Sequence, residues 1–118
     1  MRGCVGVTGD LETFESPGDH VATFETDELT ALCPFEFGGP DHYDLTVRYE
    51  PDGCCVESKS LKEYLHGYRD VGISAEELAV EIHETVVDAI APARCYVRLE
   101  QARRGGIEET VEVGDSTL

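Results

Sequence analysis

The chain has 118 residues, 9 basic and 25 acidic, giving a formal net charge of −16 alongside an ordinary 41% hydrophobic content. That length suits one small globular domain, no run approaches the ~18 apolar residues of a membrane span, and the acid excess argues against unaided binding of nucleic acid, whose phosphates require a basic face. The first residues, MRGCVGVTGDLETF, hold glycines and acids where a secretory leader has a basic start and an apolar middle. The expectation is therefore a cytoplasmic protein, a single domain over 1–118 whose residues 1–19 form a loosely ordered N-terminal extension.

In chain order, His20 to Leu32 suits an extended first strand with a break near Asp27. From His42 to Glu50 the alternation is cleaner, with Tyr43, Leu45, Val47 and Tyr49 on one face and Asp44, Thr46, Arg48 and Glu50 opposite, which predicts a half-buried strand. Pro51-Asp52-Gly53 is a turn by composition, after which Cys54 to Val56 re-enters. A helix is predicted from Ser58, with Leu61, Tyr64, Leu65 and Tyr68 at helical spacing and Gly72 closing it. A second begins with the capping box Ser74 and Glu77, presents Leu78, Ile82, Val86 and Ile90 as its apolar stripe, widened by Ala79 and Val87, and ends at Pro92. Arg94 to Glu100 alternates again, and a turn at Arg104-Gly105-Gly106 leads to a last strand around Ile107 to Val113.

The helices come as a consecutive pair and do not alternate with strands. This predicts an α+β domain in ββααββ order, a four-stranded antiparallel sheet with two helices packed on one face. Such a sheet has open edges and one small core, and both push toward a closed homo-oligomer joined edge to edge.

Five cysteines (Cys4, Cys33, Cys54, Cys55 and Cys95) are an odd number, two are adjacent and no C-x-x-C occurs, so no disulfide framework is expected. His20, His42, His66 and His83 show no ligand spacing relative to them, so no metal site is expected. Most of these cysteines read as small buried hydrophobes. Cys33 is different in position: it stands in Leu32-Cys33-Pro34, before a loop holding Gly38-Gly39-Pro40-Asp41, where a thiol and an acid suit a nucleophile with its proton donor. A packed residue beside a turn is the plainer account of the same pattern.

Only two of the basic residues are lysines, Lys59 and Lys62, close together where a strand runs into a helix start. Free N–H groups there favour an anion, and two lysines three apart share a helix face. Pairing with surface acids explains them equally, but a phosphate-bearing ligand also explains why lysine is absent elsewhere. Acid excess with so little lysine resembles proteins of salt-rich cytoplasm, where a Debye length of ~3 Å at 1 M salt removes most self-repulsion. It also reads simply as a solubility device.

The stretch Glu57-Ser58-Lys59-Ser60-Leu61-Lys62-Glu63-Tyr64 resembles the signature of the 7-cyano-7-deazaguanine (preQ0) reductases, the QueF family, nitrile reductases of the tunnelling fold (T-fold). Leu32-Cys33-Pro34 and Gly39-Pro40-Asp41 resemble the family's catalytic loop, Tyr49-Glu50-Pro51-Asp52 its turn, and Arg104-Gly105-Gly106-Ile107 its closing segment, so that residues 20 to 113 are covered in order. The resemblance implies that Cys33 adds to the nitrile carbon to give a thioimide and that Asp41 protonates the nitrile nitrogen. It implies a substrate pocket of Val56, Glu57, Ser58, Ala75 and Glu76, with NADPH held by Ser58, Lys59, Arg104 and Gly105, and sites formed between subunits. The product would be 7-aminomethyl-7-deazaguanine (preQ1), for queuosine-type modified nucleosides. The alternative is a QueF-like amidinotransferase, which resolves the same thioimide with ammonia on a base already in tRNA, giving archaeosine; only then is nucleic acid a partner.

Two departures stand out. The interval from Cys33 to Asp41 is one residue longer than is usual in the family, so the loop is expected to bulge to present Asp41, with Asp44 a weaker substitute. Ala75 stands where the family has a histidine, and His83, further along the helix, is expected at the surface or an interface rather than as a replacement.

Overall fold

The computed structural model describes residues 4, 7–8, 11–35 and 39–118. Gly38 of the glycine-rich loop lies outside the described residues, as do 1–3, 5–6 and 9–10. In chain order the elements are β1 (Val7–Thr8), β2 (Leu11–Glu15), β3 (Ala22–Leu32), β4 (Pro40–Glu50), β5 (Cys54–Val56), α1 (Ser58–His66), α2 (Ala75–Ile90), β6 (Arg94–Arg104) and β7 (Ile107–Gly114).

The alternation on the central strand carries the architecture. β4 buries Asp41, Tyr43, Leu45, Val47 and Tyr49 and leaves the residues between them exposed or half-exposed, because successive side chains point to opposite faces of a sheet. It pairs antiparallel with β3 on one side and β6 on the other, and β6 pairs with β7, giving the sheet order β3-β4-β6-β7. The break expected near Asp27 is a register shift between Thr26 and Leu29, an extra residue of the kind that bends a strand.

The helices cover the inward face. α2 begins where Ser74 accepts the Glu77 N–H at 3.1 Å, buries Leu78, Ala79, Ile82, Val86 and Ile90, and lies on β6 and β7 while also reaching β2 and β5. Ala91 closes it in the left-handed region, at φ 43. α1 starts at Ser58 as expected, with Glu57 as its cap, but it ends at His66 with Gly67 next, not at Gly72. The physical reason is a competing bond: Leu32 donates to the Val71 carbonyl at 2.9 Å and accepts from the Ile73 N–H at 3.0 Å, so residues 71–73 leave the helix to run beside the end of β3. Tyr68 remains buried in the intervening turn.

The expectation for residues 1–19 is corrected over 11–15. That segment forms β2, paired with β5 and with β1 in a second, three-stranded sheet of order β1-β2-β5. Leu11 is 0% exposed within the main core. A three-residue strand such as β5 has too few ladder bonds to stand alone, and β2 supplies them. Cys54, Cys55 and Cys95 are buried in the same core.

Candidate active site

The β3–β4 ladder and the 71–73 segment together fix one end of the sheet. Ala31 pairs with Asp41 and Leu32 with Pro40, so Cys33 is the first residue past the paired end of β3 while Asp41 belongs to β4. The bulge expected of the loop between them falls on 36–38, outside the described residues; the strand register places Asp41 opposite Ala31. On its other side Leu32 is tied to Val71 and Ile73, which brings Ser74, Ala75 and Glu76 at the head of α2 beside Cys33. The third contributor is the β6–β7 hairpin. Arg104 pairs with Ile107 across Gly105 and Gly106, whose φ values of +59 and +84 are those of a two-residue turn that only residues tolerant of positive φ adopt readily.

These three parts enclose an open cleft of ≈ 770 Å³ lined by Cys33, Pro34, Phe35, Asp41, Ser74, Ala75, Glu76, Gln101, Arg104, Gly105, Ile107 and Glu109. Cys33 is half-buried, and its sulfur accepts the Phe35 N–H at 3.4 Å. Asp41 is only 6% exposed and is met by the Arg104 guanidinium at 2.5 Å, with Gln101 donating to the same oxygen at 3.5 Å. The bond to Asp41 holds the Arg104 proton more firmly than usual, against the opposing effect of desolvation. A hydrogen bond shared with Glu76, followed by burial and the neighbouring charge, raises the pKa of Glu109 above the ordinary carboxyl value. Phe35 and Ile107 expose large apolar side chains on the rim. A half-exposed thiol, a buried acid and two neighbouring carboxyl groups thus face one space, an arrangement suited to adding sulfur to an electrophilic carbon while acidic groups handle protons and N–H donors.

The family model described as QueF-like protein matches residues 40–117. The chain is 46% identical to a protein of Syntrophus aciditrophicus over 105 residues, 86% of this chain and 74% of that one. The chain belongs to the QueF family. It is also 43% identical to a protein of Halorhodospira halophila, covering 86% of this chain and 88% of that one, and 41% identical to one of Chlorobaculum tepidum, covering 83% of each. All three relatives are named NADPH-dependent 7-cyano-7-deazaguanine reductase. Among solved structures, the apo form of the archaeosine synthase QueF-Like superimposes with a TM-score of 0.73 at 26% identity, covering 80% of this chain and 91% of that one. The T-fold reading of the QueF chain thus holds.

Of the residues singled out in this QueF sequence, Cys33, Asp41, Ala75, Glu76, Arg104 and Gly105 meet in the cleft. Val56, Glu57, Ser58 and Lys59 do not line it. Ser58 belongs to a separate groove, with Lys62 and His66 of α1 over Phe24, Leu29, Leu45 and Val47. Val56 is buried in the core, and its N–H is donated to the Tyr49 hydroxyl at 3.0 Å. The Glu57 carboxylate accepts the N–H groups of Lys59 at 2.7 Å and Ser60 at 2.8 Å, and these bonds lower its pKa below the ordinary value. In the single chain Glu57 is the cap of α1, occupying the free N–H groups that the sequence reading offered to an anion. Lys59 itself is exposed beside them.

Sequence reasoning missed Gln101, Glu109 and Tyr43. Gln101 continues the face of Val97 and Leu99 at the far end of β6, and Glu109 that of Val111 and Val113 on the edge strand β7; each is a polar residue where an apolar stripe runs out, so only the cross-strand register assigns them to the cleft. Tyr43 was read as core, and it is core. The available signal was its position two residues beyond Asp41 on the same strand face.

Proposed function

We propose that this chain reduces the nitrile of 7-cyano-7-deazaguanine to the aminomethyl group of 7-aminomethyl-7-deazaguanine with NADPH, through a thioimide on Cys33. It works in the cytoplasm, as a homo-oligomer whose complete sites lie between subunits. The observation that carries this reading is the convergence of Cys33, Asp41, Glu76 and Arg104 on one cleft, in a chain 46% identical to a reductase of that name.

The Cys33 sulfur adds to the nitrile carbon, one C–N π bond gives way to the new C–S bond and an N–H bond, and Asp41 takes up the thiol proton and hands it to the nitrogen. A nitrile accepts hydride poorly until a soft nucleophile has converted it to such an imide-like C=N. Glu76, beside Glu109, accepts the N–H donors on the edge of the base, as carboxyl oxygens do. Arg104 presents its cation next to Gly105 and Gly106, where nothing lies within 4 Å of the position a Cβ would take. That open, cationic turn fits the phosphates of a dinucleotide, and exposed Ser58 and Lys59 of a neighbouring subunit complete the set. Bound NADPH supplies the two hydride equivalents that carry the carbon to the amine level. Cys33 is regenerated as its C–S bond breaks between them.

The location has support of a more general kind. Among the described residues no helix is long and apolar enough to cross a membrane, and the cysteines stand as free thiols, as reducing conditions favour. A second reading draws on the similarity to the archaeosine synthase QueF-Like: Cys33 forms the same thioimide, but ammonia resolves it on tRNA. Higher identity to the reductases and the −16 charge weigh against that, since a tRNA is met by cationic side chains.

The protein mixed with the nitrile base and NADPH should gain the mass of the base and oxidise two NADPH per product. Cys33→Ala should do neither, and Lys59→Ala should keep the adduct while weakening NADPH use. An adduct without NADPH oxidation, turned over by ammonia on tRNA, would replace the reductase by the amidinotransferase; no adduct would remove both.

A further inference from the structure

The fold leaves one polar atom beneath the cleft uncommitted. Tyr43 is 1% exposed, and among the described residues its hydroxyl is a buried side-chain oxygen with no hydrogen-bond partner. An unbonded buried hydroxyl is destabilising where a phenyl ring of the same shape is not, so packing alone does not account for a tyrosine here. Other buried phenols are engaged: Tyr49 accepts the Val56 N–H at 3.0 Å, and Tyr68 donates to Glu81 at 2.6 Å.

The position of the idle hydroxyl is defined by the sheet. Tyr43 lies two residues after Asp41 and so on the same face, and it pairs with Gln101, which in turn pairs with Glu109. Asp41, Gln101 and Glu109 all line the cleft. Asp41, Glu109, Cys33 and Glu76, which line the cleft with Arg104, each act electrostatically on the Tyr43 phenol; the tyrosine itself sits behind that lining and borders the adjoining groove that shares Gln101 and Glu109. Burial, with those groups adding, pushes its pKa up to about 12, which keeps the proton in place at neutral pH. Ala75 contributes only a methyl group to the cleft.

We propose that Tyr43 is a specificity-determining residue whose hydroxyl donates a hydrogen bond to the ring carbonyl oxygen of the deazaguanine base. The inference rests on the reductase reading of the same cleft. Around a deazaguanine the groups run in the order amino, ring N–H, carbonyl, nitrile-bearing carbon. With the nitrile at Cys33 and Asp41, and the N–H donors at Glu76 and Glu109, the carbonyl oxygen falls between the two pairs, over Tyr43. A base with an amino group in place of that carbonyl sets donor against donor and leaves both unpaired, the stronger form of discrimination. The donor lies behind the lining of the empty cleft, and the side chains over it part as the base enters with the acceptor that the fold withholds.

The test uses full-length protein, with non-covalent affinity read by calorimetry in a Cys33→Ala background. The ligands are 7-cyano-7-deazaguanine and its analogue lacking the ring carbonyl oxygen. With Tyr43 present, the carbonyl compound should bind about tenfold to a hundredfold more tightly than the analogue. Tyr43→Phe should shrink that preference about tenfold by weakening the carbonyl compound alone, what remains being owed to the ring N–H that the analogue also lacks, while the thermal midpoint of the ligand-free protein holds or rises. An equal change for both ligands, no change, or a lowered midpoint with the preference intact would overturn the inference and leave the function standing. Absence of the mass adduct on protein with its thiol intact would instead overturn the reductase reading, and the inference with it.

Discussion

Asp41 shows how much of a site is decided at a single side chain. It is buried where water cannot reach it freely, yet its Oδ1 is shared by Arg104 and Gln101, so its orientation is fixed before any ligand enters. An acid in such a place can face a nitrile nitrogen only if the neighbouring sulfur holds the carbon, and Cys33 follows the paired end of β3 immediately. Asp41→Asn keeps the shape and an acceptor oxygen but removes the exchangeable proton. We expect it to slow formation of the Cys33 mass adduct by about 10²–10⁴-fold, the usual contribution of a positioned acid, with the thermal midpoint of the fold retained. Equal adduct rates in the two proteins, followed by intact-mass sampling over time, would assign the proton to another group, and Glu76 and Glu109 are the other carboxyl groups that line the cleft.

Among the elements, the short and unadvertised ones do the positioning. β2 gives β5 its ladder, and β5 leads into α1 through Glu57, whose own N–H is donated to the Glu12 carbonyl at 3.0 Å. Ser60 closes the same junction, since its hydroxyl accepts the Glu12 N–H at 3.0 Å. β2 is therefore part of the platform under the signature helix, and Leu11 is its anchor. Replacing Leu11 by Ala removes a fully buried side chain and should cost about 2–5 kcal/mol, read from urea unfolding followed by circular dichroism. A loss under about 0.5 kcal/mol, the range of ordinary surface changes, would return this strand to the status of a loose extension. The 71–73 segment is the other such device, because its bonds to Leu32 cut α1 short and draw the head of α2 to the thiol.

For the whole molecule, the division of the candidate residues is the main consequence. Cys33, Asp41, Glu76 and Arg104 belong to one cleft, while Ser58 opens onto a different groove and Glu57 caps α1. A site needing both sets has to be assembled between copies, and β3 and β7 stand as the outer strands of the sheet through which copies would join. Mixing two impaired variants tests this directly. Cys33→Ala keeps the α1 half and Glu57→Gln keeps the thiol half, with a side-chain oxygen still able to cap the helix. Each alone should be deeply impaired in NADPH oxidation, and subunit exchange between them should restore a measurable fraction of the wild-type rate. No recovery from a mixture that light scattering shows to have exchanged would place both sets of residues at work within one copy.

The sequence by itself determined the four long strands, both helix starts and the identity of the chemical groups. Alternation in β4 and β6, the Ser74 cap and the Gly105-Gly106 turn are local, each satisfied within a few residues of itself. It also determined the family, through residues such as Cys33, Lys59 and Arg104 that no packing rule requires. Only the tertiary structure decided where α1 stops, that residues 11–15 are core, and that Gln101, Glu109 and Tyr43 underlie or line the cleft. Those outcomes depend on bonds between segments far apart in the chain, Leu32 with Val71 and Ile73, Thr13 with Val56, Tyr43 with Gln101. Such bonds leave no local periodicity behind, because neither partner needs an unusual neighbour to make them.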